Sequence, residues 1–428
     1  MSPPAGHSTD AWPVPPTPPT GLTALADPLG DPETVGFVHV ARGDDADFRY
    51  LTRTIPPTRA AAVVCVPTDA SDIRAVYCVS DADRATAVDD FVAAEAADSS
   101  ATEINRSVAT REPQTPPGAH AVSILDDLLG SAAGSGILRV PPHIPHDAAV
   151  RLQQAGYELS STAALAAARA DKTAAERDCL RAVQRAATHA MAETTDDLAA
   201  ATTTDGTVRV DGDPVSPRGL ERTLAADLAA TGLTPATVRV RASDTDATDP
   251  LLAGEGIVIH LSPQGPHGYH GRLTRTLVVD SDGGWDRRAF IAADAGLTAA
   301  RRHCKPETAA RTVAAEATAE LTAYGFPPLE ESSDGDPASD ATADATSVDD
   351  AGGRATVHGV GLTPHEAPRP AAGDVMESGS ILAIETEVVD PKHGRIRLGS
   401  LVEATPAGGE PLVDAPRSLT PTEAAADE

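Results

Sequence analysis

The sequence predicts a two-domain α+β protein, and three observations carry that prediction. Short strands rich in valine and aromatic residues alternate with helical stretches over the first 168 residues. From Asp171 onward the order helix, helix, strands occurs twice. An aperiodic acidic segment breaks the second of these repeats. The expected organisation is a flexible Pro-rich tail over 1–25, a smaller α/β domain over 26–168 and a larger α+β domain over 169–428. The larger domain carries an acidic, disordered insertion over 329–354.

The elements follow in order. MSPPAGHSTDAWPVPPTPPTG has neither a basic start nor an apolar run, so it reads as a solvated tail and not as a signal peptide. VGFVHVA, FRYLTRT, AAAVVCVP and AVYCVS read as strands, and DRATAVDDFVAAEAA as a helix. GILRVPPHIPHDAAVRLQQAGYEL reads as a strand, a turn and a helix. A long helix opens at Thr173-x-x-Glu176, where each side chain can satisfy an orphan amide of the first turn. Leu180, Val183, Ala187 and Met191 recur at helical spacing and give it one buried stripe. A second helix covers Leu220–Ala230 and ends near Gly232. Strands follow, then helices from Trp285 to His303 and from Pro306 to Tyr324, then strands around Val357, Ile384 and Leu401. LEESSDGDPASDATADATSVDDAGGR has too few apolar groups to offset the entropy of ordering.

Composition bounds the function. The chain has 428 residues, a formal net charge of −29, and three lysines, Lys172, Lys305 and Lys392. No basic stripe appears, so general nucleic-acid binding is excluded. No run approaches the ~20 apolar residues of a membrane span. Cys65, Cys78, Cys179 and Cys304 show no paired spacing and read as buried thiols of a reducing, cytoplasmic compartment. The acidic surface and 3% aromatic content are similar to those of proteins from salt-in halophilic archaea. In molar salt the Debye length is about 3 Å, which screens such self-repulsion.

Three motifs remain: GEGIVIHLSPQGPHGYHGRLTRT (Gly254 to Thr276), TVHGVGLTPHEAP (Thr356 to Pro368), and ESGSILAIETEVV followed by GRIRLGSLVEATPAGGEPL. Together they resemble the pita-bread metallopeptidases: creatinase, Xaa-Pro aminopeptidase and prolidase. The resemblance runs from about Arg169 to Leu419 and implies a pseudo-twofold pita-bread fold, preceded by a creatinase-like α/β domain. It also implies five ligand positions for two divalent ions such as manganese, cobalt or zinc. The first aspartate position holds His260, and the second, eleven residues on, holds Gly271. The histidine position is His358, with the substrate-facing histidine at His365. The first glutamate position is Glu385, and the last holds Gly399.

Three of the five ligands are thereby replaced, and both glycines stand at bridging positions. Glycine offers no side-chain oxygen, so the paired-ion chemistry of metal-assisted hydrolysis has no scaffold. The expectation is therefore that no cofactor is used, and that any single ion is held by His260, His358 and Glu385. Arg275 and Arg397 are expected to organise the cleft. Three functions stay open: a non-peptidase homologue that binds or regulates, a metal-free hydrolase with His358 or His365 as base and Glu385 as orienting carboxylate, and a divergent aminopeptidase or dipeptidase with one His-held ion. The expected partner is a peptide or small molecule in the cleft, and the resemblance allows a homodimer.

Overall fold

A computed structural model describes residues 13–43, 45–54, 59–68, 72–93, 102–242, 245–329, 351–370 and 372–422. The chain divides into two compact units. One is Pro16–Arg169; the other is Met1–Pro15 together with Ala170–Glu428.

The unit Pro16–Arg169 is built on a six-stranded sheet. Its strands are β1 (Thr34–Ala41), β2 (Ala61–Pro67), β3 (Ile73–Ser80), β4 (Ile104–Arg111), β5 (Ile137–Val140) and β6 (Glu158–Ser161), in the order β4-β3-β2-β1-β5-β6. The helices α2 (Pro117–Leu129) and α3 (His146–Gln154) supply Leu125 and Leu152 to a core that includes Val38, Val64 and Val76. The FRYLTRT segment corrects the strand expected there: Ala46–Thr52 is a helix, α1. Asp45 caps it by accepting from the Phe48 amide at 2.8 Å, and Phe48 and Leu51 are buried. A cap and one apolar face thus override the β-propensity of its aromatic residues. The expected tail is corrected for its latter half, since Leu22 and Leu25 are fully buried. Residues 1–12 of that tail, and 330–350 of the expected insertion, lie outside the described residues.

The larger unit follows the predicted order except that a three-stranded sheet, Thr202–Thr204, Thr207–Val210 and Asp213–Pro214, lies between its first two helices. Thr173 and Glu176 form the capping box of α4 (Ala174–Ala199), and Leu180, Val183, Ala187 and Met191 are all buried along it. Ser216 caps α5 (Pro217–Ala230), whose first residue is a proline that needs no amide partner there. The third and fourth helices are α6 (Trp285–His303) and α7 (Ala310–Ala323). The last begins four residues later than the sequence suggests, because Glu307 takes a left-handed φ of 63° that a helix cannot continue through.

The main sheet has seven strands, six of them in one path: β7 (Thr234–Ala242), β8 (Gly256–Gln264), β9 (Leu273–Val278), β10 (Gly352–Gly359), β11 (Ile381–Asp390) and β12 (Gly394–Thr405). Their order is β7-β8-β9-β12-β11-β10, and β13 (Gly408–Pro411) pairs with β12. The two halves of the repeat meet where Thr274 of β9 pairs with Gly399 of β12. Ile257, Ile259 and Leu261 turn to one core, together with Val183 and Leu224 of α4 and α5. Ile384, Ile396 and Leu398 turn to a second core, together with Leu297 and Val313 of α6 and α7. Alternate residues of the same strands therefore point to the other face of the sheet.

Candidate functional site

Register assembles the site. Across five antiparallel strands, His260 pairs with Thr274, Thr274 with Gly399, Gly399 with Glu385, and Glu385 with Thr356. Directly paired residues project to the same face, so one row carries all of them on the face away from the helices. Period two adds Arg397 beside Gly399 and His358 beside Thr356, and Arg272 stands two residues before Thr274. The structure thus brings together His260, Glu385, Arg397, Gly399 and His358 from the sequence-predicted set. None of His260, Arg272, Glu385, Arg397 and His358 is more than 8% exposed.

Glu385 is the hub. Its Oε1 accepts from Arg272 Nε at 3.2 Å and from the Thr274 hydroxyl at 2.8 Å. Its Oε2 accepts from Arg272 Nη2 at 3.1 Å and from Arg397 Nη2 at 2.5 Å. Burial opposes ionisation of this carboxyl. The charges of Arg272 and Arg397, with His260 beside them, overcome that and hold it well below the usual carboxylate range. His260 Nδ1 lies 2.7 Å from Thr274 Oγ1 and 3.6 Å from Glu385 Oε1. Since the Thr274 hydroxyl donates to Glu385, it accepts from His260, which places the imidazole proton on Nδ1.

Two expectations are corrected by this geometry. Gly271 does not face the row: a Cβ there would meet Val183 Cγ1 of α4 at 3.1 Å and Gln184 Oε1 at 3.4 Å. Its neighbour Arg272 reaches Glu385 instead. The spacing of eleven misplaced the position by one residue, and a one-residue slip on a strand reverses the face. Arg275 pairs with Ile259, on the helix side of the sheet. It donates to the carbonyls of Gly399 at 2.7 Å, Pro416 at 2.9 Å and Ala415 at 3.1 Å, so it anchors main chain away from Glu385.

Gly399 faces the row as expected, and the reason for glycine is steric. A Cβ there would stand 2.8 Å from Glu385 Cγ and 3.1 Å from Thr274 Cβ. The Glu385 side chain lies over the space that a side chain at 399 would use.

His358 and His365 meet with ring centroids 4.2 Å apart. His358 Nδ1 donates to the Gly359 carbonyl at 3.0 Å, while the buried Nε2 has no hydrogen-bond partner. Burial first, then the charge of Arg272, pulls this imidazole down to about 3. His365 rides on a loop fixed by a buried ion pair: Lys172 Nζ lies 3.0 Å from Glu366 Oε2, and Glu366 Oε1 accepts from the Thr363 amide.

Sequence reasoning passed over Arg272, Thr274, Gln184 and Lys172. Gln184 clamps the Arg272 main chain, accepting from its amide at 3.0 Å and donating to its carbonyl at 3.1 Å. A glutamine four residues after Leu180, inside an apolar stripe, was the available signal for it.

The row does not fit two divalent ions. Hard cations need anionic oxygen ligands, and Glu385, the carboxylate of this row, is already engaged by two guanidiniums. An ion beside it would sit against Arg272 and Arg397, both positive. The alternative trio of His260, His358 and Glu385 is corrected too. Those three do not form a group of ligand atoms within reach of one ion among the described residues, whereas His39, Asp45 and His143 do, within 4.8 Å of one another.

Comparison with known proteins agrees with the fold. Residues 166–406 match metallopeptidase family M24. The Xaa-Pro dipeptidase from Bacillus anthracis is similar at a TM-score of 0.70 and 16% identity, over 93% of this chain and 98% of that one. The prolidase from Pyrococcus horikoshii OT3 gives 0.67 and 15%, over 93% and 99%. A dipeptidase from Mycobacterium ulcerans gives 0.66 and 20%, over 93% and 96%. Among curated proteins no sequence matches. Among the described residues no helix is long and apolar enough to cross a membrane. The expectation that the chain uses no cofactor is overturned: the matching family is one of metallopeptidases, and the His39–Asp45–His143 cluster is a candidate metal site. With more than half of its length matched and a prolidase-like fold throughout, the chain belongs to metallopeptidase family M24.

Proposed function

We propose that this protein is a non-peptidase member of its family, one that keeps the prolidase fold to bind a peptide or small molecule and lacks the paired-ion hydrolytic centre. The observation that carries this reading is the Arg272–Glu385–Arg397 cluster. Two fixed guanidinium charges neutralise Glu385, whereas a hydrolytic centre needs two ions about 3.5–4 Å apart to activate water and clamp the oxyanion. His358 does not supply a replacement base. A base held at about 3 has little driving force for proton abstraction at neutral pH, where the best catalytic groups titrate near 7.

The test has two arms. Xaa-Pro dipeptides are incubated with the protein and added manganese or cobalt, and turnover at the buffer rate is expected. A kcat of about 1 s⁻¹ or more, ordinary for an enzyme, would overturn the reading. A thermal-shift screen of dipeptides and small acids should find at least one stabilising ligand. A screen with none would remove the binding role.

A further inference from the structure

The unit Pro16–Arg169 carries a second polar cluster that the function above does not use. His39 lies within β1 and is fully buried. Asp45 is the cap of α1, and His143 lies in the Pro141-Pro142-His143-Ile144-Pro145 turn after β5. Parallel pairing of β1 with β5 brings that turn alongside His39, although 98 residues separate it from Asp45. Asp45 Oδ1 is 2.9 Å from His39 Nε2, and Oδ2 is 2.9 Å from His143 Nε2. The two imidazole rings are 5.3 Å apart at 85° to each other.

The donor chemistry suits a borderline metal ion. Two imidazole nitrogens and one carboxylate oxygen are the three-protein-ligand set of open zinc sites, and imidazole suits zinc better than it suits calcium or magnesium. Ligand atoms roughly 2.0–2.2 Å from a tetrahedral ion stand ~3.4 Å from one another, and one donor atom from each of these three residues already lies within 4.8 Å of the others. His39 and the capped Asp45 form a rigid floor. The His143 side chain is 52% exposed and gives the ion an entrance and a solvent-facing fourth position. Asp47, paired with Arg169 at 2.6 Å, adds a carboxylate oxygen 3.8 Å from His143 Nε2.

We propose that His39, Asp45 and His143 form a zinc-type divalent-metal site that ties β1, the start of α1 and the turn after β5 together. This does not rest on the reading of the Glu385 row. The full chain is stripped with a chelator and titrated with zinc chloride by calorimetry, with cobalt(II) as an absorbance probe of tetrahedral coordination. One saturable equivalent with a micromolar or lower Kd is expected, together with a raised melting temperature. Asp45→Asn, which keeps an oxygen for the Phe48 amide, should weaken binding at least 100-fold, as should His143→Ala, which empties no core. His358→Gln should bind zinc as the wild type does. No zinc uptake by the wild type would overturn the site. So would wild-type binding by both Asp45→Asn and His143→Ala, or loss of the equivalent in His358→Gln.

Discussion

Removing the Glu385 carboxylate should be far more damaging than a typical substitution, and the structure allows the size to be worked out. Glu385→Ala leaves Arg272 and Arg397, 2% and 8% exposed, as buried cations without their shared counter-ion. Breaking a buried pair from one side costs about 3–5 kcal/mol. The Thr274 hydroxyl also loses its acceptor, worth about 1 kcal/mol. At about 2–4 °C per kcal/mol for a unit of this size, a loss of about 4 kcal/mol lowers the melting temperature by ~8–16 °C. The combined change Arg272→Met, Glu385→Leu, Arg397→Met should recover most of that loss, because replacing a whole buried ionic cluster by apolar groups is often neutral or better. Differential scanning calorimetry in chelator checks both. If Glu385 were instead a metal ligand awaiting its ion, its loss would leave the metal-free protein unharmed. A Glu385→Ala protein within about 0.5 kcal/mol of wild type, the usual range for a surface change, would refute the cluster as the reason the row is stable.

Further outcomes follow from the same geometry. The His358 imidazole is neutral when folded down to about 3, against about 6.5 unfolded, so the unfolded state binds the extra proton between those values. Stability should therefore fall as pH drops from 6.5 towards 3, by at most ~5 kcal/mol at 1.36 kcal/mol per pH unit, and His358→Gln should flatten the urea midpoint over that window. Glu385 is displaced in the same direction: its contribution is present above its unfolded value near 4.5 and is lost as pH falls through its much lower folded value. For metal-site rebuilding, His260→Asp, Arg272→Asp, Gly399→Glu should bind manganese at least tenfold more tightly than the counterpart with Gly271→Asp in place of Arg272→Asp. Equal affinities in calorimetry would reject the register given above. With a net charge of −29, the melting temperature should fall as KCl is diluted from molar to ~0.1 M, where the Debye length grows to about 10 Å. A flat profile would count against an adaptation to salt.

The row was partly readable before its geometry was known. Motif letters placed His260, His358, Glu385 and Gly399 because each lies in a strand whose period fixes its face. The error at Gly271 arose where the strand gives way to a turn. The segment between Gln264 and Leu273 holds its own bonds, including Gly265 N to Tyr269 O, and residue counting across it does not preserve register. Arg275 was misassigned for a related reason: in Thr274-Arg275-Thr276 the letters are adjacent, but alternate side chains leave opposite faces of the sheet.

The sequence by itself determined the local elements and the glycine at 399. Capping boxes, apolar stripes and glycines act within a few residues. Only the tertiary structure decided which side chains meet Glu385. That Arg272 and Arg397 both fold onto Glu385 depends on β9, β11 and β12 lying side by side, more than a hundred residues apart along the chain at the β9–β11 contact. That His39, Asp45 and His143 converge depends likewise on the pairing of β1 with β5. The affinity between such groups is short-ranged and depends on direction, whereas the sequence records only their order.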